Sequence, residues 1–440
     1  MTSPLLEDAV RALADADLCR TNGRVLTVIG LVIEASGLHA AVGERCIIER
    51  GRRTEPVPAE VVGFRDGRTL LMPLGEMTGI GPGNRVIATG ASFDLPVGEE
   101  LLGRVVDGLG EPIDGGLPLR SSVRRPVIAD PPDSLRRARI ETRLPLGVRA
   151  LDTLVACGRG QRLGIFAGSG VGKSSLLGMI ARSSAADVNV ICLVGERGRE
   201  VREFVERDLG PGLERSVVVV ATSDQPALVR IKAAFVATTI AEAFRDTGRD
   251  VLLMVDSITR FAMAGREVGL AIGEPPTARG YTPSVFATLP RLLERAGTAE
   301  RGSITGLYAV LVEGDDMNEP VADAARSILD GHCVLSRELA HRNHYPAIDV
   351  LSSVSRLAND VVPPEVVAAG GSLRETLALL KTNEDLIAIG AYARGSNPRI
   401  DAAIALEPQI SSFLRQALNE PSDAAAADAA LVELMAAPAG

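Results

Sequence analysis

Four changes of hydrophobic rhythm divide this chain of 440 residues. Over residues 5–18, Leu5, Leu6, Val10, Leu13, Ala14 and Leu18 recur at helical spacing, with Glu7, Asp8, Arg11, Asp15 and Asp17 between them. That pattern predicts an amphipathic helix within 1–22, which could dock on a partner or fold back on its own domain. From Arg24 to about Thr89 the rhythm shortens to β-rich runs such as Val25–Ile29, Leu31–Glu34, Arg45–Ile48, Glu60–Phe64, Thr69–Met72 and Arg85–Ala88, separated by glycine-bearing turns. Runs of this length and spacing predict a small closed barrel over 23–92. Residues 100–150 read as a turn-rich connector, and the Gly-x-Gly at 108–110 has a proline two residues on, which favours turns over a dinucleotide site. From about 160 to 350, apolar runs (Asn189–Val194, Ser216–Val220, Val251–Val255, Gly306–Val312) alternate with helical patterns, as a parallel sheet with crossover helices requires. Beyond 366 the chain reads as helical, and its Ala/Asp-rich end from Pro421 to Gly440 is expected to fray. The expected divisions are therefore 1–22, 23–92, 93–365 and 366–440.

A 46% share of apolar residues is ample for several cores, and the formal charge of −9 disfavours a nucleic-acid coat, whose partner would select for positive charge. Aromatic residues make up only 3% and Trp is absent, so base-stacking platforms are scarce. For the barrel, contacts between subunits are the better expectation. Cysteines 19, 46, 157, 192 and 333 are scattered and form no Cys-x-x-Cys pair, which points to reduced thiols in the cytoplasm. No apolar run is long enough to cross a bilayer, and the acidic start lacks the basic region of a signal peptide.

Within the alternating region, Ala167-Gly-Ser-Gly-Val-Gly-Lys-Ser174 lies between a strand pattern, Arg162–Phe166, and a helix pattern, Ser175–Ala181. This context identifies a phosphate-binding loop. Gly168, Gly170 and Gly172 allow backbone N–H groups to turn inward as an anion nest, with Ser169 and Val171 between them, and the following helix adds its positive end from Ser175 onward. Lys173 can reach the β- and γ-phosphates, and the Ser174 hydroxyl can serve Mg²⁺ bound with ATP. Hydrolysis also needs a carboxylate near the metal, a group that orients water and positive charge at the transition state. Asp256 closes the apolar run Val251–Val255 and fits the first need; Glu196, which follows Val194-Gly195, fits the second.

Several motifs together resemble the catalytic-subunit family of rotary ATP synthases and their protein-export relatives: Ala167–Ser174, Gly195-Glu-Arg-Gly-Arg-Glu200, Leu253–Phe261 and Pro346–Arg356. The likeness extends over about 24 to 420. Pro346–Ser355 follows the family signature of Pro, small, aliphatic, acid, three free positions, Ser, any, Ser. Glu313-Gly-Asp-Asp-Met-Asn-Glu-Pro320, Asn383–Tyr392, Gly395–Asp401 and Phe413–Gln416 resemble the type III export ATPases, and among them the flagellar branch; the injectisome branch is the alternative. The resemblance implies an α/β RecA-like ATPase core with a parallel sheet, preceded by a small β-barrel and followed by a helical domain. It also implies the roles of the site residues: Lys173 and Ser174 on phosphate and Mg²⁺, Glu196 activating water, Arg197 beside the phosphates, Asp256 as the second acid, and Tyr345 against adenine. Arg356 corresponds to an arginine finger that enters a neighbouring subunit, which implies a homohexameric ring. Partners implied are a stator-like regulator at the N-terminal helix, a central stalk protein, and the export gate with its substrates and chaperones, at the cytoplasmic face of the membrane and without nucleic acid. A noncatalytic subunit of a mixed ring is disfavoured by the retained Glu196, and an RNA-translocating hexamer by acidic balance and few aromatics.

Overall fold

The computed structural model describes residues 22–51, 54–312, 314 and 316–436; the helix expected at the N-terminus lies outside them. Strands β1 (Asn22–Ile29), β2 (Val32–Ser36), β3 (Glu44–Ile48), β4 (Val57–Arg65), β5 (Arg68–Pro73) and β6 (Arg85–Ser92) close into a barrel in the order β1-β2-β5-β4-β3-β6. Closure satisfies every strand edge, and alternation turns Val25, Ile33, Cys46, Val61, Leu71 and Val86 into a single apolar filling. Five of the six β-rich runs read from the sequence fall within these strands, and the sixth, Leu31–Glu34, begins one residue before β2.

Short strands β7 (Asp94–Pro96) and β9 (Arg124–Pro126) pair with each other, while β8 (Val105–Asp107) of the connector joins the edge of the large sheet. Asp107 Oδ1 accepts from the amides of Leu109 and Glu111, so the Gly-x-Gly stretch is a turn held by an aspartate. The large sheet adds β10 (Arg162–Ala167), β11 (Val188–Val194), β12 (Ser216–Ala221), β13 (Asp250–Asp256), β14 (Gly297–Thr298), β15 (Ser303–Leu311), β16 (Gly331–Leu335) and β17 (Ile348–Ser355). Its order is β17-β16-β10-β15-β13-β11-β12-β8, with β14 beside β15; only β14 and β17 pair antiparallel. Every residue of β11 and β12 is buried, because helices cover both faces of the parallel strands. One face packs under the helices Ala227–Arg245, Ile258–Ile272, Pro283–Leu293 and Pro320–Ile328. The other packs under Lys173–Ser183 and the C-terminal helices Pro364–Thr382, Pro398–Leu414 and Ala424–Ala436.

Two buried ion pairs join the outer parts to this core. Lys232, on the helix Ala227–Arg245, reaches Glu60 of the barrel at 2.6 Å. Arg143 forms a two-pronged pair with Asp428 at 2.9 and 2.7 Å. The second pair corrects the expectation of a fraying C-terminus: Ala424–Ala436 is a docked helix, with Leu431 fully buried in the core. Alanine-rich composition favours helix as readily as it suggests a tail, and the partner that anchors it lies 285 residues away. An Asp428→Ala chain, which leaves a buried guanidinium without its acid, should lose on the order of 3 kcal/mol of local stability. Hydrogen exchange at amides 424–436 reads this directly; unchanged exchange would mean that the pair does not hold the helix.

Candidate functional site

The phosphate loop leaves the C-terminal end of β10 and enters the helix Lys173–Ser183. Gly170 and Gly172 have φ of +79° and +91°, in the left-handed region where a side chain is strained. A Cβ at Gly172 would stand 3.3 Å from Cε1 of Tyr345, so the tyrosine ring lies directly over the loop. That ring is 40% exposed and offers an open aromatic face, while the Tyr345 carbonyl accepts from the amide of Gln416.

Lys173 Nζ is paired with the carboxylate of Asp256 across the loop, and the two side chains are 11% and 4% exposed. Asp256 ends β13, one strand removed from β10, and the Ser257 hydroxyl caps the helix Ile258–Ile272 that follows. Its other oxygen, Oδ1, is buried with no hydrogen-bond partner among the described residues. An unpartnered carboxylate oxygen and the nearby Ser174 hydroxyl are hard oxygen donors of the kind Mg²⁺ takes.

Glu196 follows β11, whose end is turned by Gly195 at φ +69°; the Glu196 carbonyl accepts from the amide of Ser223. Burial, and after it the negative charge of Asp256, push the Glu196 carboxyl up to about 7, against the positive charges of Lys173 and Arg260. A carboxylate poised there can take a proton from water near neutral pH. Arg197 is not gathered into this cluster: its side chain is 75% exposed and reaches Glu200 at 3.5 Å.

Arg260 is a member of the site to which the sequence reading assigned no role. Its stem packs 3.1–3.2 Å from where a Gly195 Cβ would be, and its buried Nε has no hydrogen-bond partner among the described residues. The available signal was its position four residues after Asp256, one helical turn on, which brings it back over the same sheet edge.

Arg356 stands apart from all of these. Ser355 pairs with Gly331 at the start of β16, and the Arg356 amide donates to the Asp330 carbonyl, level with the beginning of β10. The phosphate loop begins at the other end of β10, about 16 Å further along at 3.3 Å per residue. No side chain spans that distance to its own loop.

Residues 147–355 match the ATP synthase alpha/beta family, nucleotide-binding domain; residues 25–90 match that family's beta-barrel domain; residues 362–433 match the T3SS EscN ATPase C-terminal domain. The Flagellum-specific ATP synthase of Bacillus subtilis (strain 168) is 53% identical over 420 residues, covering 95% of this chain and 96% of the relative. The Type 3 secretion system ATPase of Xanthomonas euvesicatoria is 51% identical over 422 residues, 96% of each. Among solved structures, the assembled ATPase EscN from the enteropathogenic E. coli type III secretion system superimposes with a TM-score of 0.89 at 45% identity, covering 94% of this chain and 100% of that one. EscN in complex with its central stalk EscO gives a TM-score of 0.86 at 44% identity over the same shares. With barrel, parallel core and helical C-terminal domain each matched in order, the chain belongs to the type III export ATPases of the ATP synthase alpha/beta family.

Proposed function

We propose that this protein hydrolyses Mg²⁺-bound ATP in a homohexameric ring to drive export of flagellar components at the cytoplasmic face of the membrane. The observation that carries the reading is the pairing of Lys173 with Asp256 beside Glu196, whose pKa lies near neutrality. Nucleotide binding exchanges the Asp256 carboxylate for phosphate oxygens on Lys173, while the loop amides of 168–172 and the backbone of Ser174 and Ser175 cradle the rest. Ser174 and Asp256 hold Mg²⁺, which when bound neutralises charge on the phosphates. Glu196 accepts the proton of the attacking water as its oxygen bonds to the γ-phosphorus and the bond to the β–γ bridging oxygen breaks, releasing ADP and phosphate. Tyr345 receives the adenine, Arg197 approaches the phosphates from its exposed position, and Arg356 supplies the missing positive charge to the neighbouring protomer.

EscN is assembled in its solved structure and binds a central stalk, which supports a ring and a stalk partner here. The stator-like regulator, export gate, substrates and chaperones follow from the same family likeness, as does peripheral association with the membrane. Among the described residues no helix is long and apolar enough to cross a membrane. An injectisome ATPase is the second reading, because relatives bearing the two names are nearly equal in identity, 53% and 51%.

Removing the gene from its host decides between these readings. Loss of flagellar filaments and swimming is expected; retained motility with lost effector secretion would select the injectisome.

In the purified protein, Glu196→Gln should lower turnover by roughly 10²-fold or more while ATP affinity stays nearly unchanged, whereas Lys173→Ala should weaken nucleotide binding itself. Because the raised Glu196 pKa lies at about 7 and only the ionised form takes a proton, kcat/KM of the parent should climb as pH rises through that value. A parent profile flat from pH 6 to 8, or a Glu196→Gln turnover within a few-fold of the parent, would remove Glu196 from the mechanism.

Arg356→Ala and Lys173→Ala proteins, each nearly inactive alone, should regain hydrolysis when mixed, since an intact loop on one can face an intact Arg356 on the other. Mixed rings without any recovered activity would argue against a shared site.

A further inference from the structure

The edge of the sheet that carries Arg356 holds more positive charge than one finger accounts for. A recess of about 380 Å³ opens there between the helix Pro320–Ile328 and the β16–β17 pair, lined by Asp323, Arg326, Ser327, His332, Val354 and Arg356. Arg356 has no ion pair among the described residues. Arg326 has one, to Asp323 at 3.0 Å, three residues back on its own helix, where the carboxylate is 68% exposed. An exposed pair of this kind contributes little and gives up its arginine readily. His332 stands between the two guanidiniums and the core: its ring meets Phe166 edge-on at 5.8 Å between centroids. Burial first, and then the charges of Arg326 and Arg356, lower the His332 pKa against a hydrogen bond to the Ser352 backbone, which places all three groups in one field. The recess is thus a cationic half-site with one weakly held acid.

The helix carrying Arg326 is held rigidly. Val321, Ala322 and Ala325 are buried against the sheet, leaving Arg326 on the outward side at the level of Arg356. Its N-terminus follows the loop after β15, whose last residue, Leu311, pairs with Ala167 at the start of the phosphate loop. One short helix therefore links the edge where this protomer binds its own nucleotide to the edge it presents to a neighbour.

We infer that Arg326 is a second cation delivered in trans: with Arg356 it engages the phosphates of the nucleotide held by the adjacent copy of this chain. This rests on the proposed trans role of Arg356. Each planar guanidinium can hold phosphate oxygens bidentately, and two entering from one surface bring two positive charges to the nucleotide where a single finger brings one. Arg326 exchanges its exposed aspartate for phosphate when the ring closes.

The test uses the full-length protein in assembled rings, with assembly checked by light scattering. Arg326→Ala should lower kcat by about tenfold or more, Arg326→Lys should recover part of it, and ATP binding to dilute protomers should not change. Mixing separates the alternatives. If Arg326 acts in trans, Arg326→Ala mixed with Lys173→Ala regains activity, because the loop of one faces an intact cationic surface on the other. Arg326→Ala mixed with Arg356→Ala does not, because every interface then lacks one of the two arginines. The opposite pattern, rescue by Arg356→Ala and none by Lys173→Ala, would place Arg326 in its own protomer's site and overturn the inference. So would an Arg326→Ala ring within twofold of the parent. If Arg356→Ala and Lys173→Ala also fail to rescue each other, it is the shared-site reading that falls.

Discussion

The contact between Lys173 and Asp256 is the interaction on which the site depends. The Asp256 side chain is only 4% exposed at the end of β13, and the loop lysine supplies the counter-charge it faces there. The same pair governs Glu196, since the Asp256 charge raises its pKa while Lys173 opposes the rise. On the proposed mechanism, phosphate would draw Lys173 away from Asp256 and so redistribute charge around Glu196, coupling binding to chemistry through one ammonium group.

The parallel sheet imposes the second constraint. Strands that run one way place the phosphate loop, Glu196 and Asp256 at their C-terminal ends, because each lies at or just past the end of a strand. The antiparallel return of β17 carries Arg356 to the opposite end. One protomer therefore carries the phosphate loop and Arg356 at opposite ends of one sheet, and in the proposed ring each would meet its counterpart on a neighbour. The helix Pro320–Ile328, between β15 and β16, runs from one of these edges back toward the other.

Attachment of the outer domains follows a common pattern of long-range contacts with few members. Lys232 meets Glu60 of the barrel, Arg143 meets Asp428 of the last helix, and the Gln416 amide bonds the Tyr345 carbonyl while its side chain contacts the Gly147 carbonyl and the Arg149 amide. Through Gln416 the C-terminal domain touches the backbone of the tyrosine that overlies the phosphate loop.

Much of this was legible in the chain alone. Short β-rich runs between glycine-bearing turns marked the barrel strands, largely apolar runs marked the buried parallel strands, and glycine spacing before Lys173 marked the phosphate loop, because each is dictated by local geometry or by burial on both faces. The placement of Asp256 and Glu196 followed from the same rule, since a residue just past a parallel strand must stand at the sheet's ligand-binding edge. What the chain could not disclose were relations between distant residues: Asp428 against Arg143, Arg260 folded over Gly195, and Arg326 sharing a recess with Arg356. Alanine-rich sequence at the C-terminus left its docking open, because the anchoring charge lies far away in the chain. Local sequence thus determined the elements and the chemistry each can carry, whereas tertiary packing decided which charges meet, since burial and pairing are set by neighbours that folding brings together.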